Sequence, residues 1–166
     1  MVKIQVEIKL AYNDTDNIRK LFAEYTKMLL DVCNDFQQYL DIQGYDHEIE
    51  DTNEKYSLPN GRLYIAYCDN QAAGCIALRQ ISKTECEMKR LYIKQQYRGH
   101  QIGRTLVETI INDAKEIGYQ FMLLDTLPEL KTAIALYDGI GFHRVPQYNN
   151  SPIEKTLFMK LDLCTE

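Results

Sequence analysis

A short loop with two glycines, YRGHQIGRTL from Tyr97 to Leu106, is the feature that most limits what this chain can fold into. The run before it, TECEMKRLYIK, is strand-like, and apolar residues repeat at helical spacing from Ile102 to Ile117. A loop that leaves a strand and opens a helix presents several unpaired amide N–H groups. The helix N-terminus adds roughly half a positive charge, so the loop favours an anion with several phosphate oxygens, such as a diphosphate.

Two familiar phosphate-binding loops do not fit these residues. A P-loop needs four residues between its glycines and then Lys, whereas Gly99 and Gly103 are one residue closer together and Arg104 follows. The dinucleotide pattern G-x-G-x-x-G is absent as well. ATP hydrolysis and NAD binding are therefore disfavoured.

The order of the remaining elements predicts a mixed α/β sheet. Period-two apolar residues in KIQVEIKLA predict a half-buried first strand, and IRKLFAEYTKMLLDV predicts an amphipathic helix. GRLYIAY and AAGCIALRQI flank the turn residues CDNQ and read as a hairpin. The predicted order is β-α-α-β-β-β-α-β-α-β-β, with helices on both faces of the sheet.

Three local features of this order are specific enough to be checked. Residues 35–60 predict a short second helix followed by a loop. Thr126 and Glu129 have the spacing of a capping box at the start of a later helix, which Gly141 would end. Gly118 would end the helix that follows the glycine loop.

Length and composition limit the chain to a few classes of protein. With 166 residues, we expect one domain over residues 1–166. No stretch approaches the roughly 18 consecutive apolar residues that cross a bilayer, and the first ten residues alternate apolar with charged side chains. We therefore expect a soluble, cytoplasmic protein that does not bind membranes.

Charge and cysteine content argue against nucleic acid and zinc as partners. The formal net charge of -5 disfavours nucleic acid as the main partner. The five cysteines form an odd set without C-x-x-C spacing, which argues against a disulfide framework and a zinc cluster. No metal is expected.

The glycine loop resembles the acyl-CoA loop of the GNAT N-acetyltransferase superfamily, [Q/R]-x-x-G-x-[G/A]. Here it runs from Arg98 to Gly103, with Gln101 where the family usually has its first glycine. The resemblance extends from about Glu85 to Phe142, and ALYDGIGF is similar to a family helix end. The tail looks like one bacterial branch whose members mostly lack an assigned substrate. Leu130 departs from an asparagine that is frequent in the family.

The resemblance implies a fold and a cofactor. The fold would be a central, mostly antiparallel, twisted sheet of about seven strands, splayed between strands 4 and 5. The cofactor would be acetyl-CoA, released as CoA. Backbone groups of strand 4 would pair with the pantetheine arm, and the glycine loop would hold the pyrophosphate. The implied cofactor-binding residues are Leu91, Tyr92, Ile93, Arg98, Gly99, His100, Gln101, Ile102, Gly103, Arg104 and Tyr137.

The resemblance also implies two catalytic residues. An alkyl ammonium with a pKa near 10 must lose a proton before it can attack a thioester. Glu87 occupies the family's usual glutamate position and is the candidate base, working through water or after burial raises its pKa, with Glu85 as the alternative. Tyr137 matches the tyrosine that would protonate the departing thiolate. Cys86 as a covalent nucleophile is disfavoured because no histidine partner is identifiable.

Together these features predict an acetyl-CoA-dependent N-acetyltransferase that acts on a primary amine of a small molecule or peptide. The alternative is a non-catalytic acyl-CoA-binding regulatory module with the same fold. Asp35, Asp41, Glu48 and Glu50 are candidates to attract a cationic amine. A homodimer is an open possibility, since exposed strands late in the sheet can pair.

Overall fold

A seven-stranded sheet forms the centre of the computed structural model, which describes residues 3–164. The expected domain of residues 1–166 includes residues 1, 2, 165 and 166, which lie outside the described residues. The strands are β1 (Val6–Leu10), β2 (Arg62–Cys68), β3 (Gln71–Gln80), β4 (Glu85–Ile93), β5 (Phe121–Thr126), β6 (His143–Arg144) and β7 (Leu157–Asp162). The helices are α1 (Thr15–Val32), α2 (Phe36–Gln43), α3 (Tyr45–Glu50), α4 (Ile102–Ile117) and α5 (Lys131–Ile140).

The sheet has the order β1-β2-β3-β4-β5-β7-β6. All neighbouring strands are antiparallel except β4 and β5, which pair in parallel. The parallel ladder is short and runs from the pair Glu85 and Phe121 to the pair Glu87 and Leu123. The mixed α/β class, the seven strands and the separation of strands 4 and 5 are thus confirmed.

Side chains of the central strands alternate between two cores, one on each face of the sheet. On one face, Leu63 and Ile65 of β2 pack with Leu21 and Phe22 of α1. On the other, residues of β3 and β4 pack with α4; the buried members include Ile76, Leu78, Met88, Leu106 and Ile110. Burying each large aliphatic side chain stabilises the fold by about 1.5–3 kcal/mol, so both helices are held firmly against the sheet.

The β2–β3 hairpin turns where CDNQ predicts it. Asp69 and Asn70 both have positive φ, at 49° and 69°. Two consecutive left-handed residues produce a two-residue turn whose twist matches that of the strands, and Asp and Asn tolerate this conformation. Gly118 and Gly141 end α4 and α5 in the same left-handed region, as expected.

Three local expectations were wrong. Residues 35–60 contain two short helices, because Gly44 at φ 72° ends α2 and immediately opens α3. Leu10 belongs to the period-two pattern of β1 but is 49% exposed at the end of that strand. Thr126 and Glu129 form no capping box, because Thr126 still pairs with β7 and Glu129 binds Lys155 at 2.5 Å.

Gly61 lies at a point where two backbone segments meet. A Cβ there would lie 2.6 Å from the Tyr56 carbonyl carbon and 2.9 Å from the Leu78 carbonyl oxygen. We expect Gly61→Ala to lower the free energy of unfolding by about 1–3 kcal/mol, because backbone must move to accept the methyl group. Urea unfolding would measure this change.

Gly139 provides the matched control for this substitution. It lies inside α5, and only the Arg104 side chain comes within 4 Å of its added Cβ. Gly139→Ala should therefore be neutral or stabilise by about 0.5–1 kcal/mol. Equal effects of the two alanines on unfolding would contradict the steric explanation.

Candidate active site

The separation of β4 from β5 opens a cleft beside the strand ends. Beyond Glu87 and Leu123 no further β4–β5 pairs form, so the edge of β4 from Met88 onward has no partner in β5. The resulting cleft is open to solvent and, together with the solvent space at its mouth, has a volume of about 410 Å³. Its lining comes from α1, α2, β4, β5 and α5: Tyr25, Leu29, Phe36, Tyr39, Gln43, Met88, Lys89, Arg90, Leu91, Leu124, Asp125 and Tyr137.

A β-bulge distorts β4 at the side of this cleft. Cys75 pairs with Tyr92, but Ala77 pairs with Lys89, so β4 has one extra residue at this point. Arg90 lies in the bulge with φ 60°, a conformation that costs a non-glycine residue about 1–3 kcal/mol. The chain accepts this strain because the Arg90 side chain is strongly held.

Arg90 forms a buried, bidentate ion pair with Glu48 of α3. Its Nε and Nη2 donate to the two carboxylate oxygens at 2.7 and 3.0 Å, and Lys55 donates to the same carboxylate at 3.0 Å. Burial favours the neutral form of Glu48, but the two cations outweigh it and lower the pKa of Glu48 to about 2. Glu48 thus ties α3 to β4 and is not free to attract an amine. Asp35, Asp41 and Glu50 are exposed.

The glycine loop connects β4 to α4 as predicted. Gly99 and Gln101 both have positive φ, at 87° and 63°. Gln101 therefore adopts the conformation that glycine would favour, and its carbonyl accepts the Thr105 N–H at 3.0 Å as the first bond of the helix. The amides from Ile102 to Arg104 lie ahead of this bond, as first-turn amides do.

The loop lies directly against the end of β4. Arg98 Nε donates to the Ile93 carbonyl at 3.0 Å. A Cβ on Gly103 would lie 3.8 Å from the Ile93 side chain. Arg98 and Arg104 are both exposed, and Arg104 pairs with Glu108 at 3.2 Å. The structure thus brings the end of β4, with Leu91, Tyr92 and Ile93, together with loop residues Arg98, Gly99, His100, Gln101, Ile102, Gly103 and Arg104.

Glu87 lies at the last β4–β5 pair and is almost completely buried. Arg79 Nε donates to its Oε1 at 2.7 Å, and the Tyr148 hydroxyl donates to its Oε2 at 2.5 Å. Burial favours the neutral carboxyl, but Lys89, Arg79 and the Tyr148 hydrogen bond together lower the pKa of Glu87. Of the two routes expected for Glu87, through water or after burial raises its pKa, the second was wrong, because two cations accompany the carboxylate into the interior.

Tyr137 of α5 lines the cleft. Its ring packs against Phe142 with centroids 5.7 Å apart. Burial, followed by the influence of Tyr25 and Asp125, raises the pKa of Tyr137. The hydroxyl therefore stays protonated at neutral pH and can donate a hydrogen bond.

Cys86 lies next to Glu87 but is buried on the opposite face of β4, in the core shared with α4. Burial raises the pKa of its thiol to about 12. Because the thiolate is the nucleophile, this residue is unsuited to covalent catalysis at neutral pH.

Polar residues that the sequence interpretation missed also line or border the cleft. Asp125 accepts hydrogen bonds from Tyr39 and, at 2.7 Å, from Asn149. Lys89 donates to Gln43 at 2.8 Å. The position of Lys89 two residues after Glu87 on one strand would have indicated a shared face, whereas nothing local in the sequence connects Tyr39 with Asp125.

Between residues 3 and 164 no helix is long and apolar enough to cross a membrane. The same part of the chain holds no group of three or more His, Cys, Asp or Glu side chains arranged to bind a metal.

Comparison with known proteins identifies this architecture. The acetyltransferase (GNAT) family model matches residues 26–142. An uncharacterised N-acetyltransferase of Dictyostelium discoideum is 34% identical over 95% of this chain and 99% of its own length. Another from Schizosaccharomyces pombe is 34% identical over 90% of this chain and 89% of its own. Both relatives are eukaryotic, so the resemblance to a bacterial branch is not supported.

A solved structure shows the same fold. The PaiA N-acetyltransferase of Thermoplasma acidophilum, in complex with coenzyme A, superposes with a TM-score of 0.74 at 19% identity. The match covers 97% of this chain and 99% of that protein. Family model, relatives and fold agree, and the chain therefore belongs to the GNAT family of acetyltransferases.

Proposed function

We propose that this protein is an acetyl-CoA-dependent N-acetyltransferase that acylates a primary amine of a small molecule or peptide by direct attack. The observation that carries the proposal is the end of the β4–β5 ladder at Glu87. There an unpaired strand edge lies beside the start of α4, and Tyr137 lines the same cleft. The coenzyme A in the PaiA structure supports this assignment.

The residues present suit the two polar parts of the cofactor. The amides of Ile102, Gly103 and Arg104 would bind the pyrophosphate, assisted by the N-terminal end of α4. Exposed Arg98 and Arg104 flank them and can contribute charge-assisted hydrogen bonds. The edge from Leu91 to Ile93 has no partner in β5 and would pair with the pantetheine amides, so backbone geometry matters more there than side-chain identity.

Bound acetyl-CoA would supply an activated thioester. Overall, an N–C bond forms and a C–S bond breaks; of the two protons that the ammonium loses, one ends on the CoA sulfur and one reaches solvent. Glu87 is a carboxylate at neutral pH, and its Oε2 accepts a hydrogen bond from the Tyr148 hydroxyl. We assign Glu87 the role of accepting the amine proton, directly or through this hydroxyl, an effect of about 10²- to 10⁴-fold for general bases.

Glu85 is less suited to this role. Its side chain is about one-third exposed and lies 3.8 Å from Lys160 on β7, at the paired end of β4 and away from the cleft. Tyr137 is assigned as the donor to the leaving sulfur, because its hydroxyl remains protonated and Tyr137 lines the cleft.

The non-catalytic alternative has one observation in its favour. Glu87 is engaged by Arg79 at 2.7 Å and by Lys89 at 3.9 Å, which a purely structural carboxylate would also show. Such a module would bind acetyl-CoA but release no thiol with any amine. Measuring thiol release in the presence of amines therefore separates the two functions.

Calorimetric titration with acetyl-CoA tests cofactor binding at the loop, with CoA, ATP and NAD for comparison. We expect acetyl-CoA and CoA to bind and Gly103→Pro to weaken both by about 10- to 100-fold, the effect of losing one hydrogen bond to a charged group. Proline is tolerated in a first helical turn, so the helix should persist.

Gly103→Ala is the control, because it keeps the amide and its Cβ makes only 3.8 Å contacts with Ile93 and Leu136. Absence of acetyl-CoA binding by the unaltered protein would refute the proposed function. Unchanged affinity of Gly103→Pro would place the pyrophosphate elsewhere.

A further inference from the structure

Asp125 is a fixed carboxylate at the point where β5 leaves β4. The hydroxyl of Tyr39 and the amide of Asn149 both donate to Oδ2. Among the described residues, no side-chain bond to Oδ1 accompanies them, so this oxygen is available to a ligand. Asp125 lines the cleft, which suits it to bind a cation there.

Lys89 carries the opposite charge and lies on β4, the strand next to β5. Its side chain is only 9% exposed, and its ammonium donates to the neutral Gln43 oxygen. The nearest carboxylate, Glu87, lies 3.9 Å away and is already engaged by Arg79 and Tyr148. A buried charge is normally paired with an opposite charge at close range. Within residues 3–164, the only ion pair of the Lys89 ammonium is its distant contact with Glu87, so it can still accept an anionic ligand. Burial lowers the pKa of Lys89 to about 8, which leaves it mainly charged at pH 7.

The two charges occupy equivalent positions on diverging strands. Glu87 pairs in parallel with Leu123, so Lys89 and Asp125 each lie two residues beyond the last pair. Period-two alternation directs both to the face that carries Glu87 and α2. Arg90 is less available to a ligand, because its Nε and Nη2 donate to Glu48 and Nη2 also donates to Gln43.

An apolar wall adjoins Asp125. A second, connected hollow shares Asp125 and is lined mainly by aromatic and aliphatic side chains: Tyr25, Leu29, Phe36, Tyr39, Leu127 and Leu130. An apolar side chain placed there would lose contact with water, which favours its binding.

We propose that the amine acceptor is an α-amino acid with an apolar side chain, whose ammonium binds Asp125 and whose carboxylate binds Lys89. An α-amino acid carries both charges on one carbon, which matches opposite charges on neighbouring strands. The side chain would occupy the hollow next to Asp125. This inference rests on the proposed function and names the substrate class of the same site.

Matched amine pairs test the inference by thiol release at saturating acetyl-CoA. L-phenylalanine is compared with 2-phenylethylamine, L-leucine with 3-methylbutylamine, and L-methionine with 3-(methylthio)propylamine. We expect kcat/KM to be about 10- to 100-fold higher for at least one amino acid than for its partner without the carboxylate. In Lys89→Met this ratio should fall to about 1, because the chain length is kept and only the charge is lost.

Two further variants complete the experiment. Asp125→Asn should lower kcat/KM for both members of a pair, since both carry the ammonium. Lys9→Met, an exposed lysine on β1, should keep the ratio of the unaltered protein. Melting temperatures of all variants show whether each one is folded.

The inference is overturned if no amino acid is acetylated, if the amine without a carboxylate reacts equally well, or if Lys89→Met keeps the ratio. Acetyl-CoA titration distinguishes these failures from failure of the proposed function. If acetyl-CoA binds and simple amines release thiol while amino acids do not, only the substrate class is wrong. If acetyl-CoA does not bind, the acetyltransferase assignment fails first.

Discussion

Tyr137→Phe is expected to lower kcat about 100-fold while leaving the Kd for acetyl-CoA unchanged. The substitution removes the one cleft hydroxyl assigned to the leaving sulfur, and loss of general acid help costs about 10²- to 10⁴-fold. We expect the lower end, because a thiolate is a good leaving group. The ring and its packing on Phe142 remain, so the fold and the cofactor site should be unaffected. Steady-state thiol release and calorimetry measure the two quantities.

Tyr119→Phe is the matched control. Tyr119 is also buried, but its hydroxyl donates to the Asn60 carbonyl at 2.7 Å, and Tyr119 does not line the cleft. Its variant should lose some stability and keep kcat. A Tyr137→Phe enzyme with kcat within about threefold of the parent would remove Tyr137 from the mechanism.

Glu48→Ala is expected to lower the free energy of unfolding by about 3–5 kcal/mol, the usual effect of breaking a buried ion pair from one side. The substitution leaves Arg90 without its bidentate partner and Lys55 without its nearest carboxylate. Arg90 would also keep its strained backbone without the contacts that hold it. Urea unfolding followed by circular dichroism measures the loss.

Glu7→Ala is the control, since Glu7 and Lys9 are both more than half exposed and an exposed pair contributes at most about 1 kcal/mol. The double variant Glu48→Leu with Arg90→Met should recover part of the lost stability, because both members of the buried pair are then apolar. A loss below 1 kcal/mol for Glu48→Ala would show that the pair is not important for stability.

The glycine loop could be predicted from the sequence because its signals are local. Gly99, Gly103 and the apolar stripe of α4 lie within about twenty consecutive residues, and the helix end follows at Gly118. The positive φ of Gln101 is harder to predict, because glutamine does not favour it, but the family pattern usually has glycine at this position. The order of strands and helices came from the periodicity of apolar residues and matches the structure apart from the additional helix α3, and the splayed strands came from the resemblance and are confirmed.

The acceptor side of the cleft could not be predicted, because its contacts join distant parts of the chain. Tyr39 reaches Asp125 across 86 positions, and Asn149 reaches Tyr39 across 110. Glu48 is an acid inside a polar segment, which predicts exposure; it is buried only because Arg90 comes to it from β4. Charge alone therefore suggested an amine-attracting surface where the structure has an internal ion pair.

The short β4–β5 ladder leaves part of the β4 edge without a neighbouring strand. Three residue pairs connect the two halves of the sheet at this point, and the β4 edge beyond them has no partner in β5. A ligand that pairs with this edge acts as an additional strand, so its binding free energy is added to the stability of the native state. At a free concentration 100 times its Kd, this linkage amounts to about 2.7 kcal/mol. The concentration of the ligand would then determine the stability of the native state as well as the rate of the reaction.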